Sequence, residues 1–150
     1  MKLATALSER ADLQRRLSEL GTRLNNNAKV QEGEKPSEDP KELLKELDEC
    51  MSRLEELIAR INRTNSQTVC DGKSISDLIA RRDCLKERIS IMRGFLNASS
   101  EKINRYSKAE IKILSTVPVA QLQKQVDSYS RKLRETDELI QSLNWTTELI

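Results

Sequence analysis

The chain has 150 residues, 33% of them charged, 37% apolar and only 3% aromatic, with 26 basic and 24 acidic side chains and no histidine. A net charge of +2 argues against long-range attraction of the whole molecule to nucleic acid or an anionic membrane, and lack of histidine removes the commonest metal ligand and the usual general base. An apolar set built from Leu, Ile, Val, Met and Ala suits helices packed side by side in a single domain over residues 1–150.

Leu3, Ala6, Arg10, Leu13, Leu17, Leu20 and Leu24 recur at alternating steps of three and four, which predicts a helix over about 2–24. Gly21 and the run Asn25-Asn26-Asn27 end it. Residues 28–39, AKVQEGEKPSED, read as a solvated loop. Asp39 before Pro40 then supplies a cap and a first helical residue, opening a second helix over about 40–63. Its stripe is Leu44, Leu47, Met51, Leu54, Ile58 and Ile61, with Leu43, Cys50 and Leu57 beside it at seven-residue steps. A face that broad is wide enough to touch two neighbours.

From Thr64 to Lys73 the helical period breaks, and the turn dipeptide Asp71-Gly72 suggests a small hairpin or extended excursion. Ser74 and Asp77 mark the start of a third helix over about 75–105, striped by Leu78, Arg82, Leu85, Ile89, Met92, Leu96, Ser99 and Ile103. Residues 107–117 read as extended or as a helix end. A fourth helix over about 118–143 carries Val119, Leu122, Val126, Tyr129, Leu133, Thr136, Ile140 and Leu143, and the segment 144–150 with the only tryptophan reads as a docking tail.

A seven-residue apolar period packs helices nearly parallel. The expected fold is therefore all-α: an elongated antiparallel four-helix bundle, or helical hairpins, with coiled-coil-like packing and a possible small β-hairpin in the loops. So thin a bundle, with apolar residues beyond one stripe, predicts a homo-oligomer. The mildly apolar start stops at Ser8, too short for a signal peptide, and no uncharged run reaches membrane length. The expectation is a cytoplasmic protein without a membrane partner.

Four blocks lie outside the generic Leu-Glu-Arg heptads: NAKVQEGEKPSEDP at 27–40, LIARINRTNS at 57–66, RYSKAEIK at 105–112 and NWTTELI at 144–150. In these blocks and their order the chain resembles the septicolysin-like family of small bacterial proteins, over nearly its whole length. The resemblance implies a bacterial origin and a helical, oligomeric fold, with a hexamer built from dimers as the assembly. The thiol-sensitive cytolysin suggested by the family name is not expected here, because no membrane-length run and no Trp-rich loop around a cysteine are present.

Several side-chain groups carry candidate chemistry. Asn62, Arg63, Thr64 and Asn65, with Arg105, Ser107, Glu110 and Lys112, are polar residues at helix ends that would meet if the helices run antiparallel. Asn62, Arg63, Asn65, Arg105, Glu110 and Lys112 would then form a ligand pocket, with Arg63 or Arg105 as an anion fork and Glu110 as its partner, though capping explains the same residues. Trp145, Leu149 and Ile150 are the candidate interface. Arg81, Arg82, Lys86, Arg88, Arg93, Lys102 and Arg105 make the third helix locally basic and could meet nucleic-acid phosphates, but Asp77, Asp83 and Glu87 offset them. Glu32, Glu34, Glu38 and Asp39 do not follow the calcium-loop spacing, so no metal and no cofactor is expected. Of the three cysteines, Cys50 and Cys84 read as buried and Cys70 as the exposed thiol; without a histidine to activate them, an enzyme is not expected.

Overall fold

A computed structural model describes residues 1–100 and 111–150. Four helices dominate it: α1 (Leu3–Asn26), α2 (Pro40–Gln67), α3 (Ile75–Ser100) and α4 (Val119–Thr146). Between α2 and α3 lies one small antiparallel hairpin, β1 (Val69–Cys70) and β2 (Lys73–Ser74), with Val69 opposite Ser74 and Cys70 opposite Lys73. Its two-residue turn needs positive φ at both positions, and Asp71 (50°) and Gly72 (77°) supply it. The architecture is thus all-α with the anticipated hairpin. Lys102, Ile103, Arg105, Ser107 and Glu110 fall outside the described residues.

The chain divides into two compact units, Met1–Ile75 with Leu143–Ile150, and Ser76–Ser142. In the first, α1 and α2 are antiparallel, and their register can be read from ion pairs along one edge. Glu9 meets Arg53 at 2.7 Å, Arg16 meets Glu46 at 2.6 Å and Arg23 meets Glu38 at 2.5 Å. These positions step by seven on α1, so they form a ladder beside the apolar seam. Inside the ladder Leu20, Leu43 and Cys50 are buried together, with Leu13, Leu17 and Leu24 packed against them. Toward the other end Leu3, Ala6, Leu57, Ile61 and Ile75 are fully enclosed.

The helix boundaries have local causes. Asp39 caps α2, its carboxylate accepting from the Lys41 amide at 3.0 Å. The 28–39 loop is pinned rather than merely solvated: buried Asn27 donates to the Arg23 carbonyl at 2.8 Å and accepts from the Glu38 amide at 3.0 Å. Helix α2 runs four residues past the expected end because Thr64 is buried, its hydroxyl bonded to the Arg60 carbonyl at 2.8 Å. Helix α4 likewise continues to Thr146, so Asn144 and Trp145 belong to its last turn rather than to a tail.

In the second unit α3 and α4 are also antiparallel. Arg82 reaches Asp137 at 4.0 Å, the Arg88 guanidinium lies 4.8 Å from the Tyr129 ring centre, and Arg93 donates to the Ser130 hydroxyl at 3.5 Å. Leu78, Leu85, Ile89 and Leu96 of α3 and Val126, Thr136 and Ile140 of α4 are buried, as their stripes predict. Thr136 satisfies its hydroxyl on the Lys132 carbonyl at 2.7 Å.

Candidate interaction surface

The first helix starts on Lys2, which has no side-chain cap to offer. An uncapped N-terminus leaves amides that need acceptors, and the far end of the chain provides one. The Leu3 amide donates to the Thr147 carbonyl at 2.9 Å, and the Leu149 amide donates to the Met1 carbonyl at 2.8 Å, around an antiparallel bridge between Lys2 and Glu148. The Glu148 carboxylate takes both the Lys2 ammonium at 2.7 Å and the Met1 amine at 3.1 Å. These cations hold the carboxyl below its ordinary range, Lys2 foremost and the amine second. Glu148 also sits at the positive end of the α1 dipole.

The last residues then cross to α2. The Ile150 amide donates to the Thr64 hydroxyl at 3.0 Å, and Arg60 Nε donates to the Ile150 carbonyl oxygen at 3.0 Å. Leu149, 7% exposed, is the side chain this clasp buries. Trp145 is 67% exposed and Ile150 is 46% exposed, so of the three candidate interface residues Leu149 is inserted, while Trp145 on the last turn of α4 and Ile150 face outward.

A second surface lies on the edge of the α1–α2 hairpin opposite the ion-pair ladder. Leu44 (49%), Met51 (53%) and Ile58 (37%) are exposed at steps of seven, with Leu47 and Leu54 half-buried between them. Of the stripe that dominated the sequence pattern, Leu44, Met51 and Ile58 are therefore outward, whereas Ile61 is buried with Leu43, Cys50 and Leu57. Arg10, on the same side of α1, has its Nε buried with no hydrogen-bond partner.

The polar-pocket residues are only partly placed. Asn62 and Arg63 are exposed on α2 and Asn65 is half-buried, while Lys112 is exposed and in no regular element. Arg105 and Glu110 lie outside the described residues, as does any meeting of the two groups. Arg82 is engaged by Asp83 and Asp137 and Arg88 by Tyr129; Arg81, Lys86 and Arg93 are exposed, and Lys102 and Arg105 lie outside the described residues. Lys86, Arg93, Arg134, Ser130 and Asp137 line a cleft of about 380 Å³ floored by Ile89 and Leu133.

In the acidic loop, Glu38 is tied to Arg23, which holds its carboxyl below the ordinary range, and Asp39 is the α2 cap. Among the described residues no three His, Cys, Asp or Glu side chains gather as a metal site. Cys50 is buried, as expected. Cys84 is exposed, contrary to expectation, because one step from buried Leu85 turns about 100° around the helix. Cys70 is half-buried. No helix among the described residues is long and apolar enough to cross a membrane.

No curated protein matches the chain. It is similar to a functionally unknown conserved protein from Corynebacterium diphtheriae, whose crystal structure superposes with a TM-score of 0.89 at 40% identity, over 100% of this chain and 99% of that one. A model described as a family of unknown function, DUF6847, matches residues 10–149. With nearly the whole helical region inside that match, the chain belongs to the DUF6847 family.

Proposed function

We propose that the protein is structural, a homo-oligomeric helical scaffold that works by association and not by catalysis, in the cytoplasm. The observation that carries this reading is the apolar row of Leu44, Leu47, Met51, Leu54 and Ile58, spaced at alternating three- and four-residue steps like a coiled-coil seam, with Leu44, Met51 and Ile58 exposed and Leu47 and Leu54 half-buried. Isolated exposed leucines are ordinary, but an ordered apolar row marks an interaction site. The likeness to septicolysin-like proteins adds a hexamer built from dimers as the assembly. Light scattering on the purified protein tests the reading: a mass of several chains supports it, and a single-chain mass at about 100 µM, well above the dissociation constants of stable oligomers, overturns it.

A second reading, binding of a polyanion along α3, is favoured by the cleft of Lys86, Arg93 and Arg134 in the second unit. Retention on heparin that fades with added salt would support it.

A further inference from the structure

We propose that the open face of the α1–α2 hairpin docks against the same face of a second copy of this chain, about a two-fold axis running along the helices, with Arg10 of each copy placed against Asp48 and Glu55 of the other. The proposal rests on the oligomeric reading above and names its interface.

The hairpin has one closed edge and one open edge. Glu9, Arg16 and Arg23 pair with Arg53, Glu46 and Glu38 along the closed one. On the open one lie Leu44, Met51 and Ile58, exposed, and, in the same seven-residue file as Arg10, Leu17 and Leu24, which pack against the core but are not fully covered by it. A helix pair 24 residues long spans about 36 Å by about 20 Å, on the order of 700 Å² of face. That is close to the roughly 800 Å² per partner of a stable interface.

Charge identifies the occupant. Arg10 belongs to the α1 stripe, and its Nε is buried and unpartnered. On α2 the residues flanking the exposed stripe on its outer side are Asp48 and Glu55, which enter none of the ion pairs among the described residues. The hairpin therefore carries, outside the ladder, a half-buried cation on one helix and two exposed carboxylates on the other, none of them in an ion pair among the described residues.

The ladder then selects the axis. Pairing Glu9 with Arg53 and Arg16 with Glu46 sets Arg10 level with Ser52, between Asp48 and Glu55. A two-fold axis parallel to the helices keeps every residue at its height and exchanges the sides, so α1 lies over α2 of the second copy and Arg10 arrives between those two carboxylates. A two-fold axis across the helices would instead lay α2 on α2, bringing Asp48 and Glu55 against acidic residues of their own kind, which repel. The contact is isologous and closes as a dimer.

The experiment measures mass by light scattering, and helix content by circular dichroism, for the wild type, Met51→Glu, Arg10→Glu and the double variant Asp48→Arg/Glu55→Arg. Met51→Glu is expected to halve the assembly with helix content unchanged, and each charge variant to weaken association by about tenfold or more. Mixing Arg10→Glu with Asp48→Arg/Glu55→Arg should restore wild-type association, because in the mixed pair both contacts join opposite charges. If Met51→Glu fails to fold, the mixing result decides. An oligomer indifferent to all of these variants overturns this interface and leaves the oligomeric reading standing; a single-chain wild type overturns both.

Discussion

Replacing Leu149 with alanine separates the residue that anchors the terminal clasp from the one most conspicuous in the sequence. Leu149 is 7% exposed and is held between the start of α1 and the last turns of α2 by hydrogen bonds on either side, from its own amide to the Met1 carbonyl and from the Ile150 amide to the Thr64 hydroxyl. Leucine-to-alanine changes in cores cost about 2–5 kcal/mol, and a chain end relaxes more readily than a mid-helix site, so the lower half, about 2–3 kcal/mol, applies. For a protein of 150 residues each kcal/mol is worth about 2–4 °C, which gives a fall of roughly 4–12 °C. Trp145→Ala, at a site 67% exposed, should cost no more than about 0.5 kcal/mol. Thermal melts of both variants by circular dichroism at one fixed protein concentration make the comparison. A Leu149→Ala melt within 1 °C of wild type, or a larger loss for Trp145→Ala, would refute the assignment of the clasp to Leu149.

Thr64→Val keeps the shape of a fully buried side chain but removes the acceptor for the Ile150 amide; the loss should be about 1 kcal/mol, read as a lower urea midpoint with an unchanged slope. Glu9, Glu38 and Glu148 are each held below the ordinary carboxylate value of 4.5, first by hydrogen bonds from Arg53, Arg23 and Lys2 respectively. Groups whose folded value is depressed stabilise fully above the ordinary value and lose that contribution as pH falls through the folded one. The melting temperature should therefore hold from neutral pH down to the ordinary value and drop below it, and Glu148→Gln should shrink that drop; identical acid profiles for the two proteins would contradict the clasp's ionic contribution.

Much of the fold is legible because helix packing is written in side chains. The stripes of α3 and α4 emerge buried at Leu78, Leu85, Ile89, Leu96, Val126, Thr136 and Ile140, and Asp71-Gly72 turns where its backbone preference says it should. For α2 the sequence shows a wide apolar sector but cannot say which half faces α1, and the structure covers Leu43, Cys50 and Leu57 while leaving Leu44, Met51 and Ile58 open. The clasp was hidden for a different reason. Its bonds from Leu3 to Thr147 and from Leu149 to Met1 run through main-chain groups that every residue carries; Arg60 and Thr64 meet only main-chain atoms of Ile150, and the Lys2–Glu148 pair is where side chains of opposite charge face each other. The ion-pair ladder did have a signal, opposite charges at seven-residue steps on two successive helices, and it was readable in Glu9, Arg16, Arg23, Glu46 and Arg53.

That ladder shows how small energies can decide an architecture. Its three pairs are solvent-exposed or half-exposed, and such pairs contribute tenths of a kcal/mol to about 1 kcal/mol each, far less than the burial of Leu20, Leu43 and Leu57. The apolar seam holds the hairpin together, but it repeats every seven residues and so tolerates a slip of one heptad with little loss. The charges do not. Sliding the helices by seven in one direction sets Glu9 against Glu46, and sliding them by seven in the other sets Arg16 against Arg53, so each wrong register puts a like-charged contact into a ladder that has none in the observed one. The ion pairs therefore select the register more than they stabilise it. That register is what brings Arg10 level with Ser52, and with it the cation and the two carboxylates that a second copy can join.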